Sequence, residues 1–464
     1  MEKNVDVAIV GAGSAGLHAT TEVRRVTDNF VVIDGGTLGT TCARVGCMPS
    51  KVLLQIADDF HRRHSFDAEG IVGGAELTLD AEHAMDHVRS LRDRFVSSVM
   101  DNSIDALGDK LIREFAEFCE PDLLIAGDHR IRAEKVIIAT GSTPTIPKPW
   151  RRFSDRIETT DSIFELTTLP ARIAVLGLGA IGLELGQALS RMGVDVAGFD
   201  ALDRIGGIED PEVNRLAIDL LGREMPLHLG AMAEIEEEGK DLLVTADGTS
   251  TIVDKLLVCV GRTPNLAGLN LRRAGVALDD DGVPHFDPET RQIADLPIFI
   301  AGDADDERAL LHEASHEGRA AGYNAVHEPV ERFRRQAPLT IAFTDPNICA
   351  VGETWEQVKN RDVITGEARF DTGRAIVMLK DEGLIRVYAD GSDGKLLGAA
   401  LVAPRGEHLA HLLAWSIHKE MTVFDVLEMP FYHPVIEETL QAALNDMADA
   451  LTEKRRKPFS LALA

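Results

Sequence analysis

The chain is short of cysteine and aromatic residues, has no long uninterrupted apolar run, and carries far fewer basic than acidic side chains. Each shortage excludes something. Five cysteines in 464 residues cannot make a disulfide scaffold. No second cysteine pair stands beside Cys42 and Cys47 to complete a metal tetrahedron, so no metal site is expected. With 48 Lys and Arg against 76 Asp and Glu, the formal net charge of -28 is the wrong sign for nucleic acid or an anionic membrane as partner. The short basic run Lys454-Arg455-Arg456-Lys457 reads as a solvated end. No apolar stretch approaches membrane-spanning length, and Met1-Glu2-Lys3-Asn4 leads straight into an apolar strand rather than a secretory leader, so the expected location is the cytoplasm. Apolar residues at 45% and charged residues at 27% are those of an ordinary globular protein, long enough for three or four modules.

What is present centres on Gly39 to Lys51, which reads Gly-Thr-Thr-Cys-Ala-Arg-Val-Gly-Cys-Met-Pro-Ser-Lys. Cys42 and Cys47 lie five positions apart, unlike a thioredoxin-type pair or half of a zinc ribbon. In a reducing compartment such a pair is better read as a dithiol that opens and closes.

The flanking sequence repeats. Asp6 to Val10 is an apolar strand running into Gly11-Ala12-Gly13-Ser14-Ala15-Gly16, then a helical stretch, then a strand from Phe30 to Ile33 that ends at Asp34. Arg172 to Leu176, then Gly177-Leu178-Gly179-Ala180-Ile181-Gly182, a helix through Leu189 and a strand from Val194 to Phe199 ending at Asp200 follow the same plan, with the same spacing from first glycine to acid. In each unit the first glycine permits a tight turn, the second lets backbone approach a pyrophosphate and the third lets helix pack on strand. The acid is placed for an adenosine ribose. A smaller echo, Val136 to Pro144 against Leu256 to Pro264, closes each unit with the same strand and turn.

Between these landmarks the spacing predicts helices from Leu53 to Phe60 and from Asp80 to Met100, and a meander from Glu114 to Val136. Gly302-Asp303, just past the apolar strand Ile298 to Ala301, offers an acid to a sugar or ribityl hydroxyl or caps a helix. From about Pro338 the texture becomes a separate α+β module. Strands are expected at Thr340 to Phe343, Ala375 to Leu379 and Gly383 to Tyr388, and helices at Glu407 to Glu420 and Val435 to Leu451. Cys119, Cys259 and Cys349 fall in apolar or strand contexts and are expected to be buried thiols.

Taken together, these motifs resemble the FAD-dependent pyridine nucleotide-disulfide oxidoreductases, and within them the dihydrolipoyl dehydrogenase branch, over nearly the full chain. The resemblance implies an α/β fold with two Rossmann-like dinucleotide-binding domains plus a C-terminal α+β dimerisation domain. It divides the chain at 1-147 (FAD, first part, with the cysteine pair), 148-268 (NAD), 269-335 (FAD, second part) and 336-464 (interface). Gly11, Gly13, Gly16, Asp34, Gly35, Thr41, Thr140, Gly141, Gly302 and Asp303 would hold FAD, and Gly177, Gly179, Gly182, Asp200 and Gly261 would hold NAD. Cys42 would exchange with substrate, Cys47 would lie against the flavin, and Lys51 and Glu184 would pair beside it. His433 and Glu438 would be the base and its orienting acid, supplied by the other subunit of a homodimer. The substrate would be a dihydrolipoyl group, free or on a carrier, or another small thiol or disulfide.

The side-chain chemistry agrees. A thiol attacks as thiolate, so a base must take its proton, and a carboxylate that fixes the imidazole tautomer strengthens that base. Pro434 suits the first turn of a helix that would carry His433 at its mouth. The acid at Asp200 favours NAD over NADP, although Arg204 lies close. Three residues depart from the family pattern: Thr40 in place of a glycine, Phe431 in place of a histidine and Val435 in place of a threonine. Pro-Ser-Lys at 49-51 argues against glutathione reductase, and the lack of cysteines beyond Cys349 against mercuric reductase. Rival readings are a diaphorase or transhydrogenase, which needs no disulfide, and a flavoprotein without dithiol turnover.

Overall fold

Val7 to Val10 are buried on both faces, as a central parallel strand requires, and the first sheet is built around them. In the computed structural model, which describes residues 2–451, strand Glu2–Val10 pairs in parallel with Phe30–Ile33 on one side and His129–Ile138 on the other. Leu111–Ile112 extends one edge, and Leu123–Ala126 and Ala116–Glu120 form the expected meander at the other. Ile298–Ile300 returns from far along the chain to lie parallel to Val136, Ile137 and Ile138. Helix α1 (Ser14–Val23) packs on this sheet, and helices α2 (Thr41–Val45), α3 (Cys47–His61) and α4 (Ala81–Val99) follow it in the chain.

A second sheet repeats the plan in the order Leu227–Leu229, Asp195–Asp200, Arg172–Leu176, Lys255–Val258, Ile157–Glu158. Helix α5 (Ala180–Arg191) follows its glycine turn, and α6 (Pro211–Gly222) is capped by the Asp210 carboxylate. The echo seen in the sequence is a physical pairing: Ser142–Pro144 and Arg262–Pro264 form a two-stranded antiparallel ribbon that ties the units together. Helix α7 (Leu311–Val326) packs closely on α1. A Cβ at Gly318 or Gly322 would stand 2.2 and 2.5 Å from the carbonyl oxygens of Ala15 and Ala19.

The C-terminal module is a five-stranded antiparallel sheet, ordered Leu339–Ala342, Asn347–Gly352, Leu396–Ala403, Leu384–Asp390, Val363–Arg369, with helices Gly406–His418 and Glu437–Leu451 packed on it. Three expectations are corrected. Ala375 to Leu379 is no strand: Gly373–Val377 is one helical turn that buries only Ala375 and leaves Ile376, Val377 and Leu379 half or more exposed, so this apolar run has no sheet to join. Pro434 stands outside the last helix, which begins at Glu437. Of the three further cysteines Cys349 is fully buried and Cys119 only partly so, while Cys259 keeps some surface as a residue but has its thiol pushed up to about 12 by burial. The basic run at 454–457 lies outside the described residues. Among the described residues no helix is long and apolar enough to cross a membrane.

Candidate active site

Both glycine turns are built to the same atomic pattern. A Cβ at Gly11 would lie 2.1 Å from the Ala139 carbonyl oxygen, and one at Gly16 only 1.9 Å from that of Gly11. At Gly177 and Gly182 the corresponding approaches are 2.5 Å to Cys259 and 1.9 Å to Gly177. Gly13 and Gly179 differ: nothing lies within 4 Å of a Cβ at either, so the middle glycine faces open space where a phosphate can approach. Helices α1 and α5 start immediately after these glycines with no side-chain cap, leaving their first N–H groups available to an anion. The two acids do more than wait for a ribose. Asp34 accepts the N–H groups of Ala12 (2.7 Å) and Gly36 (2.8 Å), and Asp200 those of Leu178 (2.7 Å) and Leu202 (2.9 Å). Each carboxylate thus braces its own glycine turn and keeps lone pairs free for a sugar hydroxyl.

A trough runs from the first turn to the cysteines. One part, about 720 Å³, is lined by Gly11, Gly13, Asp34, Gly35, Thr140 and Gly141. The adjoining part, about 320 Å³, is lined by Cys42, Cys47, Lys51, Glu184, Gly302 and Asp303. Gly13, Thr41, Gly141 and Arg262 line both. Three buried polar atoms on these walls, Arg44 Nε, Thr140 Oγ1 and Thr160 Oγ1, have no hydrogen-bond partner among the described residues, which fits walls shaped for a polar ligand. Gly16 packs beneath the turn, outside the trough. Gly177, Gly179, Gly182 and Asp200 do not line it, although Ala180 and Ile181 of the same turn do, while Gly261 adopts a φ of +108° beside the ribbon.

Asp303 is not a helix cap. Its carboxylate accepts the Ser142 hydroxyl at 2.8 Å and lies 3.7 Å from the Arg262 guanidinium, which also donates to Ser142 Oγ at 2.7 Å. Arg262, Thr160 and the exposed Phe115 at the trough's edge were missed in the sequence. The echo signalled Arg262, which stands opposite Ser142's neighbourhood in the paired copies; nothing local signalled the others.

Cys42 lies in α2 and Cys47 opens α3, with Gly46 between the helices. A Cβ there would stand 3.1 Å from the Thr41 carbonyl oxygen and 3.3 Å from the Cys42 Cα, so the bare glycine lets the helices fold together. The sulfurs come within reach of a disulfide, and as thiols Cys42 donates to Cys47. That hydrogen bond, aided by the Lys51 charge and opposed by burial, pulls Cys47 down to about 7, and the same contact drives Cys42 upward. Lys51, one turn along α3, reaches Glu184 on α5 at 2.6 Å and lies over the Phe343 ring. Glu184 also accepts the Phe343 N–H at 2.9 Å, so one carboxylate joins three parts of the chain.

His433 Nδ1 is 2.9 Å from Glu438 Oε1, and Glu438 Oε2 accepts the Val435 N–H at 3.1 Å. The His433 contact, then the Val435 N–H, hold the Glu438 carboxyl below its usual range. The imidazole is 79% exposed, and neither residue lines the trough. Within one protomer they are not brought to the cysteines.

The fold and site define an oxidoreductase: two dinucleotide units joined through a dithiol. Residues 5–318 match the pyridine nucleotide-disulphide oxidoreductase family and residues 339–444 its dimerisation domain. The chain belongs to this family, in its class I branch, and its cofactors are FAD and NAD. It is 30% identical to a dihydrolipoyl dehydrogenase of Halobacterium salinarum over 96% of this chain and 97% of that one. It is 28% identical to a mercuric reductase of Lysinibacillus sphaericus over 95% and 82%. The flavoprotein disulfide reductase RclA of Escherichia coli shares the fold, with a TM-score of 0.81 at 22% identity over 96% of this chain and 99% of that one.

Proposed function

We propose that this chain, as a homodimer, oxidises dihydrolipoyl groups and delivers both electrons to NAD. One substrate thiolate attacks Cys42 in the Cys42-Cys47 disulfide, and Cys47 leaves as thiolate. The second substrate sulfur then attacks the mixed disulfide, so the substrate departs oxidised and Cys42 is released. His433 of the partner subunit takes the proton from the attacking thiol, with Glu438 fixing its tautomer. FAD, when bound, supplies the two-electron carrier that connects the dithiol to the nicotinamide. Gly11, Gly13, Gly16, Asp34, Gly35, Thr41, Thr140, Gly141, Gly302 and Asp303 hold it, and Gly177, Gly179, Gly182, Asp200 and Gly261 hold NAD.

The observation that carries this reading is the seat of Cys47, on the trough wall at the start of α3, acidified and one turn from the Lys51-Glu184 pair. The deciding experiment compares NADH oxidation by the purified flavoprotein with lipoamide, glutathione disulfide and a quinone dye. Lipoamide turnover that Cys42→Ser abolishes is expected. Turnover of the dye alone makes the chain a diaphorase.

A further inference from the structure

Gly302 and Asp303 face the trough, and the group that anchors them stands behind it. Glu317 on α7 is 2% exposed and lines no part of the trough, yet its Oε2 accepts the Gly302 N–H at 2.8 Å. Gly302 follows the strand Ile298–Ile300 with a φ of +69°, and a Cβ there would stand 3.0 Å from that of Ala15 and 3.3 Å from that of Ala314. The turn Gly302–Asp305 is therefore pressed between α1 and α7, with its first N–H tied to Glu317.

A guanidinium secures the rest of the turn. Arg291 is the largest fully buried side chain among the described residues. Its Nε donates to the Ile300 carbonyl at 3.1 Å, Nη2 pairs with Asp305, and Nη1 lies 3.4 Å from Glu317 Oε1. Ile300, Gly302 and Asp305 are thus fixed from behind on either side of Asp303, whose carboxylate accepts the Ser142 hydroxyl in front. Taking an arginine and two carboxylates out of water is a weak source of stability, because desolvation offsets the attraction of the charges. What the cluster does is hold the backbone under Asp303 at one height. Burial, opposed by Arg291 and aided by Asp305, pushes Glu317 up to about 7, and in either protonation state an oxygen of its carboxyl can accept the Gly302 N–H. If Asp303 holds FAD as proposed above, whatever fixes its backbone also fixes where that contact forms.

We infer that Glu317 is a positioning residue for FAD binding: its reach to the Gly302 N–H sets where Asp303 meets the cofactor. Two conservative variants separate reach from charge. Glu317→Asp keeps a carboxyl beside Arg291 but draws it back by about 1.5 Å, one carbon–carbon bond, whereas Glu317→Gln keeps the reach without the charge. The FAD dissociation constant, read from flavin fluorescence as the FAD-loaded proteins are diluted, is expected to rise about tenfold in Glu317→Asp and less than about twofold in Glu317→Gln. In an Asp303→Ala background, already weakened, Glu317→Asp should add less than about twofold, because the two residues act through one contact. Weaker binding in Glu317→Gln than in Glu317→Asp, no change in Glu317→Asp, or a Glu317→Asp effect undiminished beside Asp303→Ala overturns the inference and leaves Asp303 standing as a FAD ligand. Wild-type affinity in Asp303→Ala overturns the Asp303 reading itself and this inference with it.

Discussion

Thr40 holds φ 61° and ψ 148°, a backbone region that glycine enters freely and a β-branched residue enters at a cost of about 1–3 kcal/mol. Its compensation is thin: the hydroxyl accepts the Ala43 N–H at 3.3 Å, a long cap bond at the start of α2. Thr40→Gly is therefore expected to stabilise the protein by about 1 kcal/mol in denaturant unfolding, after the loss of the cap and the greater freedom of an unfolded glycine. An unchanged or lower midpoint would mean that the side chain's contacts outweigh the strain. Two residues further on, the thiol pair carries a pH signature. With Cys47 at about 7 in the fold against about 8.5 unfolded, the stability its thiolate contributes is fully present above about 8.5 and is lost as pH falls through about 7. Alkylation of the reduced protein should follow the same titration, and Lys51→Met should move its midpoint upward. A midpoint that ignores Lys51 would leave the Cys42 thiol and a backbone hydrogen bond as the causes.

At the scale of elements, the two glycine turns separate packing from ligand approach. Gly182→Ala drives a methyl against the Gly177 carbonyl and forces backbone to move, whereas Gly179→Ala meets nothing within 4 Å. Gly179→Ala should fold with its full complement of FAD and raise the KM for NADH at least about tenfold, because its methyl stands where the pyrophosphate is proposed to approach. Gly182→Ala should lose both stability and NADH binding. Equal effects on stability from the two would remove the distinction. These turns were legible in the sequence because strand, glycine spacing and acid are local chemistry, repeated at one interval. Thr160 and Phe115 were not, since nothing in their local sequence marks them, and Arg262 was marked only by the echo, whose ribbon pairing with Ser142–Pro144 carries it to the trough. The apolar run at Ala375 misled because a sequence does not reveal that an apolar side chain faces outward. Thr40 stood out as a departure, but its positive φ is a property of the folded loop.

At the scale of the whole molecule, the proposed base and the cysteines do not meet within one protomer: the His433-Glu438 pair is exposed, and the dimerisation domain carries it. An arrangement in which each site takes its cysteines from one chain and its histidine from the other makes a sharp prediction. Cys42→Ser and His433→Gln homodimers should each be nearly devoid of dithiol turnover. In a mixed dimer, one site inherits both lesions and the other inherits neither. Random pairing makes about half of the dimers mixed, so refolding or co-expressing equal amounts should recover about a quarter of wild-type activity. Size-exclusion and tag-based separation of the mixed species should place all of that activity in the heterodimer. If His433 served its own chain, every site would carry a lesion and mixing would recover nothing.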